Sequence, residues 1–224
     1  MAENAHDLQS IYARRFAASA AYRARVWSVL APYLARWVPT DSKTTLDLGC
    51  GYGEWTNALQ AQERHAMDLN ADARRHLAVG VIFHEQDCTQ EWPLPPGSLD
   101  AVVTSNFFEH LPDKDALRAT LRQAWCALRP GGRLIAMGPN IRYLAGRYWD
   151  FFDHYVPLTE ASLSEALSLE KFTVIRAIPR FLPYSMVGSP NYPLPLLRLY
   201  LALPIVWPLF GHQFLVVAEK PAHR

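Results

Sequence analysis

The residues most able to do chemistry begin with Thr44 to Trp55, T-T-L-D-L-G-C-G-Y-G-E-W. A short apolar run, Leu46 to Leu48, stops at Gly49, Gly51 and Gly53, and Glu54 to Gln60 read as helix. Strand, glycine turn and helix in that order let backbone come close to a ligand at the end of a parallel strand. A dinucleotide site wants G-x-G-x-x-G, so that a pyrophosphate rests on the helix N-terminus. Here the third glycine comes one residue early, and Glu54 stands where that motif wants Gly or Ala. A carboxylate in the first helical turn repels a pyrophosphate and suits a ligand carrying positive charge. The competing reading of the same residues is a tight structural turn.

Two further acidic residues follow strand-like runs. Asp68, next to Leu69, ends the short run His65 to Met67. One carboxylate there can accept from both hydroxyls of a ribose. It can instead cap the helix read at 71–77, a task open also to Asn70. Asp87 and Cys88 follow the run Val79 to Phe83, where the plain reading of Asp87 is a turn residue. The most buried-looking run, L-D-A-V-V-T at Leu99 to Thr104, leads into S-N-F-F-E-H-L-P-D, which places Asn106, Phe107, Glu109 and His110 at a strand end. A second histidine, His154, sits beside Asp153 in the aromatic linker from Ile141 to Pro157.

The elements that must position these residues alternate along the chain. Residues 7–37 read as helix from an apolar stripe that includes Ile11, Phe16, Val26, Leu30 and Leu34. Tyr12 and Arg15 lie in it; an Arg fork matches a carboxylate, and the competing reading is a solvated cationic face. After Pro112, Leu117, Leu121, Ala124 and Leu128 give a helical stripe that ends at Pro130-Gly131-Gly132. Strands are expected at 133–137 and 172–178, with a helix between them capped by Thr159. A last strand, Gln213 to Ala218, is expected to return antiparallel. The connection before it, residues 179–211, is long, and Pro193 to Phe210 carries one charge, Arg198. Pro195, Pro204 and Pro208 break it, so a membrane span is set aside. A cap over the acceptor pocket and a surface that meets a membrane or a partner both stay open.

At 224 residues the chain holds one α/β domain with elaborations. Net charge is +1, from Lys+Arg 22 against Asp+Glu 21, so no global field attracts a nucleic acid and none is expected as a partner. Three cysteines, far apart and without C-x-x-C or Cys/His ligand spacing, point to no disulfide, no metal site and a reducing compartment. The N-terminus lacks the apolar core of a signal peptide, and the expected location is cytoplasmic, with membrane-peripheral contact through 179–211 as an option.

Asp47-x-Gly49-x-Gly51-x-Gly53, Asp68, Asp87 and the S-N-F-F-E-H-L-P-D stretch stand in an order and spacing that resemble the class I S-adenosylmethionine-dependent methyltransferases, in particular bacterial small-molecule enzymes of quinone biosynthesis and of sugar or polysaccharide gene clusters. The resemblance covers Thr44 to Ile178 and the last strand. It implies a Rossmann-like, seven-stranded, mostly parallel sheet with an antiparallel edge strand and helices on both faces. An apolar insert precedes the last strand. Residues 1–40 would form a helical lid, 41–178 with 212–220 the cofactor-binding core, and 179–211 the insert. It implies S-adenosylmethionine as cofactor and S-adenosylhomocysteine as product. Asp47, Gly49, Cys50, Gly51 and Gly53 would form the cofactor loop, and Asp68 with Leu69 would hold the ribose. Asp87 and Cys88 would take the adenine, Asn106 and Phe107 the methionine part, and Tyr12 or Arg15 its carboxylate. The acceptor would be a small or lipid-linked molecule, methylated on oxygen, with His110 or His154 as base and Asp153 as orienter. The alternative is a methyltransferase-like binding protein without turnover. The chain leaves the acceptor atom and the oligomeric state open.

Overall fold

A computed structural model describes residues 20–40, 44–59, 61–184 and 191–222. Its centre is a seven-stranded sheet of order β3-β2-β1-β4-β5-β7-β6. The strands are β1 Thr44–Leu48, β2 Glu63–Asp68, β3 Val81–Glu85, β4 Leu99–Ser105, β5 Leu128–Pro139, β6 Thr173–Leu182 and β7 Gln213–Glu219. Neighbours pair in parallel from β3 through β5, and β7 pairs antiparallel with both β5 and β6. The antiparallel strand is thus the expected one, but it slots between β5 and β6, and β6 is the edge. The reason is visible in its burial. Six successive residues of β7, from Gln213 to Ala218, are buried, as suits a strand with neighbours on both sides, whereas β6 alternates with exposed positions.

The sheet has a core on each face, and strand alternation assigns residues to them. Val102, Leu134, Ala136, Phe214, Val216 and Ala218 point to one face, against α3 (Lys114–Ala127) and α5 (Glu160–Leu169). Val103, Ile135, Met137, Leu215 and Val217 point to the other, against α1 (Ala20–Ala35), Trp55 of α2 (Glu54–Ala58) and Trp207. The helices start where the sequence says. Asp113 accepts from the Ala116 N–H at 2.8 Å, and Thr159 closes a reciprocal cap with Ser162. Asp100 ties three strands at the far end from the site: it accepts from the Thr44 N–H at 2.8 Å and pairs with Arg129.

Crossovers between parallel strands leave every β-to-α turn at one end of the sheet, so β1, β2, β4 and β5 all deliver their following residues there. Strand β4 passes to a single 3-10 turn, Phe108–His110, and β5 to the short helix α4 (Ile141–Leu144) and a 3-10 stretch, Ala145–Asp150. The insert after β6 contains α6 (Leu194–Ala202), a 3-10 turn and α7 (Trp207–Phe210). Leu201 and Trp207 are buried; Leu196, Leu199, Leu203, Ile205, Leu209 and Phe210 stay exposed. No helix among the described residues is long and apolar enough to cross a membrane.

Candidate active site

A cavity opens at the strand ends between β1 and β4, lined by the glycine turn, by the β4 loop and by residues of the 151–154 segment. The turn after β1 is built on left-handed backbone: Gly49, Gly51 and Gly53 have φ of 67°, 51° and 71°. A Cβ on Gly49 would lie 2.2 Å from the Phe107 ring, and one on Gly53 would lie 2.4 Å from Leu77. The left-handed backbone and these side chains, packed directly on it, select glycine at both places.

Two carboxylates brace this turn. Asp47, buried in β1, accepts from the Thr56 hydroxyl at 2.6 Å and from its N–H at 3.3 Å, which ties β1 to α2. Burial pushes its pKa up to about 7, against the Thr56 hydrogen bonds that lower it. Asp68 accepts from the Gly51 N–H at 2.8 Å through Oδ2 and from the Asn70 N–H at 2.9 Å through Oδ1. The Leu69 N–H bonds this carboxylate as well, so of about four lone-pair sites about one stays open to a ribose hydroxyl. The capping task falls to Asn70, which accepts from the Asp72 N–H at 3.0 Å. Burial raises the Asp68 pKa as well.

Glu54 lines the cavity as expected from its place in the first helical turn, but its charge does not stand alone. Arg23 Nη2 lies 2.6 Å from Glu54 Oε1. Asp47 and Asp68 add acceptor oxygens around the turn, their pKa values raised by burial, so the turn presents hydrogen-bond acceptors to a ligand. A pyrophosphate does not fit such surroundings. The glycine cradle and the acceptor oxygens of Asp47, Glu54 and Asp68 fit S-adenosylmethionine.

The other wall carries the histidines. Asn106 takes a left-handed φ of 51° and its N–H bonds the Met137 carbonyl at 2.8 Å, which clasps the ends of β4 and β5. The turn that follows places His110 at the cavity. His110 Nδ1 lies 2.9 Å from the Asp153 carbonyl oxygen and 3.2 Å from its Oδ2. His154 Nδ1 lies 2.9 Å from the Tyr148 carbonyl oxygen. The two imidazoles meet edge to face with centroids 4.9 Å apart, and Phe151 stacks on His154 at 5.0 Å. Two N–H groups, of Tyr155 and Val156, bond the Glu109 carbonyl at 2.8 and 3.2 Å, so the 151–156 segment is pinned to the β4 loop. Burial disfavours the imidazolium of His110, but the Asp153 hydrogen bond and the Glu109 charge outweigh it, and its pKa stands above the ordinary value. Glu109 is 3% exposed, and burial pushes its pKa up to about 7, opposed by His110.

Of the residues read from the sequence, Asp47, Gly49, Cys50, Gly51, Asn106, His110, Asp153 and His154 line this one cavity. Gly53 shapes the start of α2, and Phe107 packs over Gly49. Asp68 meets the turn through Gly51, and Leu69 next to it is exposed. Asp87 Oδ1 is occupied by the Thr89 N–H and hydroxyl at 2.9 and 2.8 Å, a turn bond of the kind its residue type allows. The Cys88 carbonyl accepts from Trp92 Nε1 and its thiol is buried. Tyr12 and Arg15 lie outside the described residues. Arg23 and Trp27, one helical turn apart on α1, line the cavity and were not singled out from the sequence. Their i, i+4 spacing beside the apolar stripe was the available signal. Tyr184 and Gln213, far apart in sequence, were not foreseeable without the β6–β7 pairing.

A family model for the methyltransferase domain matches residues 19–177. The ubiquinone biosynthesis O-methyltransferase of Xylella fastidiosa (strain 9a5c) is 35% identical over 122 residues, 48% of this chain and 46% of that protein. The chain thus spans about half the length of the curated relatives it matches. Among solved structures, a complex between the Haloferax volcanii Trm112 methyltransferase activator and a methyltransferase superposes with a TM-score of 0.68 at 18% identity, over 92% of this chain and 95% of that one. An S-adenosylmethionine-dependent methyltransferase of Archaeoglobus fulgidus gives 0.63 at 20% identity, over 87% and 94%.

Asp68→Asn keeps the shape and removes the charge that accepts hydroxyl donors. Its affinity for S-adenosylhomocysteine is expected to fall by about 1.5–3 kcal/mol, the worth of hydrogen bonds to a charged group, when measured by titration calorimetry. An unchanged affinity would remove Asp68 from the cofactor site.

Proposed function

The chain belongs to the methyltransferase-domain family, the S-adenosylmethionine-dependent class I group, and on that premise we propose that it transfers a methyl group to a hydroxyl of a small or lipid-linked acceptor. The observation that carries this reading is the sharing of one cavity by the acidic glycine turn and the His110–Asp153–His154 cluster. The backbone of Gly49 to Gly53 and the carboxylate of Asp68 would hold the cofactor. When bound, S-adenosylmethionine supplies an electrophilic methyl group on a sulfonium.

The chain's own residues then have three tasks. Trp27, Phe151 and Tyr184 wall the cavity with aromatic surface, which keeps water from competing with the acceptor. Strands β4 and β5, clasped through Asn106, fix the acceptor wall against the cofactor wall, so that alignment is set by the sheet. His110 receives the hydroxyl proton. Its Nδ1 faces the Asp153 carbonyl, which only accepts, so Nδ1 carries the hydrogen and Nε2 the lone pair. Asp153 is the positioning residue for that tautomer.

The lipid-linked part of the reading rests on the insert. Among its described residues, Tyr184 lines the cavity, while the apolar face from Tyr192 to Phe210 turns outward. Arg36 and Arg198 line a groove between α1 and α6 beside that face. Apolar side chains flanked by arginines match a membrane surface with anionic headgroups. The reading of this segment as a surface contact is therefore favoured over a pocket cap.

Two measurements test the proposal. Labelled methyl transfer to a panel of lipid-tailed phenols and sugars is expected to yield methyl ethers. His110→Ala should lower kcat by roughly 10²–10⁴-fold with S-adenosylhomocysteine affinity unchanged. Cofactor binding without transfer to any oxygen acceptor would put the non-catalytic reading first. In vesicle flotation, the protein is expected to float with anionic vesicles and less with neutral ones, and Leu199→Asp should abolish flotation. Equal recovery of wild type and variant in the unbound fraction would remove the membrane contact.

A further inference from the structure

Glu109, His110 and His154 converge at the acceptor end of the cavity, each offering one ligand atom within 4.8 Å of the others. Each histidine is oriented through Nδ1 by a carbonyl oxygen, Asp153 for one and Tyr148 for the other. A carbonyl cannot donate, so in both neutral rings the lone pair is on Nε2, the tautomer that ligates a metal. The Asp153 carboxylate, 3.2 Å from His110 Nδ1, completes a carboxylate–histidine pair of the kind that backs metal-bound imidazoles.

The third group is a carboxylate with one unmatched oxygen. Glu109 is 3% exposed and its Oε1 is buried with no hydrogen-bond donor. Asn106 Oδ1, in the same cavity, is likewise buried without a donor. Two acceptor oxygens at this end of the cavity are therefore buried without a donor, an environment that a cation satisfies.

We propose that Glu109, His110 and His154 bind a divalent transition-metal ion of the zinc type, with its open coordination position facing the acceptor. The proposal rests on the reading of this cavity end as the acceptor site. Two imidazoles and one carboxylate form the three-ligand set of an open, catalytic zinc site, and the same set suits other imidazole-binding divalent ions. Ligand atoms at about 2.0–2.1 Å from a tetrahedral ion stand roughly 3.4 Å apart, so small side-chain rotations close the set. With the ion in place the imidazoles hold it, and the task of acidifying the hydroxyl passes from His110 to the cation. The coordinated hydroxyl releases its proton to water and the O–H electron pair stays on oxygen. The expectation of no metal, drawn from the lack of local Cys/His spacing, would then fail because the ligands come from segments on either side of β5.

The test is calorimetric titration of the chelator-stripped protein with ZnCl₂, then with MnCl₂, with S-adenosylhomocysteine titrated in parallel. One ion per chain is expected. Glu109→Gln, which is isosteric, should weaken it by roughly 100-fold and Asp153→Asn by about ten-fold, with S-adenosylhomocysteine affinity unchanged in both as the check on folding. Absence of ion binding in wild type that binds S-adenosylhomocysteine would overturn the site and leave the methyltransferase reading standing. So would equal ion affinity in wild type and Glu109→Gln. Ion binding lost in Glu109→Gln, in protein that fails to bind S-adenosylhomocysteine, would support the site and count against the methyltransferase reading.

Discussion

The structure depends on two carboxylates, Asp47 buried and Asp68 half-buried, that brace a left-handed turn past the end of β1. Past the end of β1 the chain leaves the sheet in left-handed conformation; the Gly49 and Cys50 N–H groups still bond the Met67 carbonyl of β2, and the Gly51 N–H turns to a carboxylate. Asp47 answers by bonding Thr56 across the turn, and Asp68 reaches from the neighbouring strand to the Gly51 N–H. Both bonds cost desolvation, as the raised pKa of each carboxylate records. The return is a rigid, acidic cradle at the one end of a parallel sheet where a ligand can approach backbone. Glu54 and Arg23 extend it toward α1.

The opposite wall is built by a different device. Asn106 clasps β4 to β5, and the Glu109 carbonyl draws in the 155–156 backbone. Tyr148, fully buried, donates its hydroxyl to the Val156 carbonyl at 2.7 Å and packs on His154. Aromatic bulk and backbone hydrogen bonds thus fix two histidines that lie 44 positions apart, 154 − 110, in sequence. Preorganisation of this kind keeps a reacting group in place when water is excluded. Two acceptor oxygens of the wall are buried without a donor, and the inference of a cation follows from them.

Much of this was legible in the chain. The glycine spacing, Asp47 and the strand-end position of Asp68 give the braced turn after β1, because left-handed turns and N–H acceptors leave few residue choices. The cap at Thr159 was equally readable, since it needs only local bonding. What the chain hid depends on pairing. The place of β7 between β5 and β6 decides that Gln213 reaches the cavity, and no local pattern carries that register. The Arg23–Glu54 pair joins a helix to a turn 31 positions away, 54 − 23, and it changes the field that Glu54 alone would set. The orphaned oxygen of Glu109 is a property of burial, invisible until the 151–156 segment folds over it.

The central claim is that the glycine turn and the two histidines face a single ligand cavity. Long-range ¹H–¹⁵N correlation spectra of the histidine side chains, recorded with and without S-adenosylhomocysteine, test it directly. The account predicts Nδ1–H tautomers for His110 and His154, with both ring signals shifting on ligand addition while those of His65 and His84, remote from the cavity, stay put. Saturating ligand that leaves the His110 and His154 signals unmoved would contradict it.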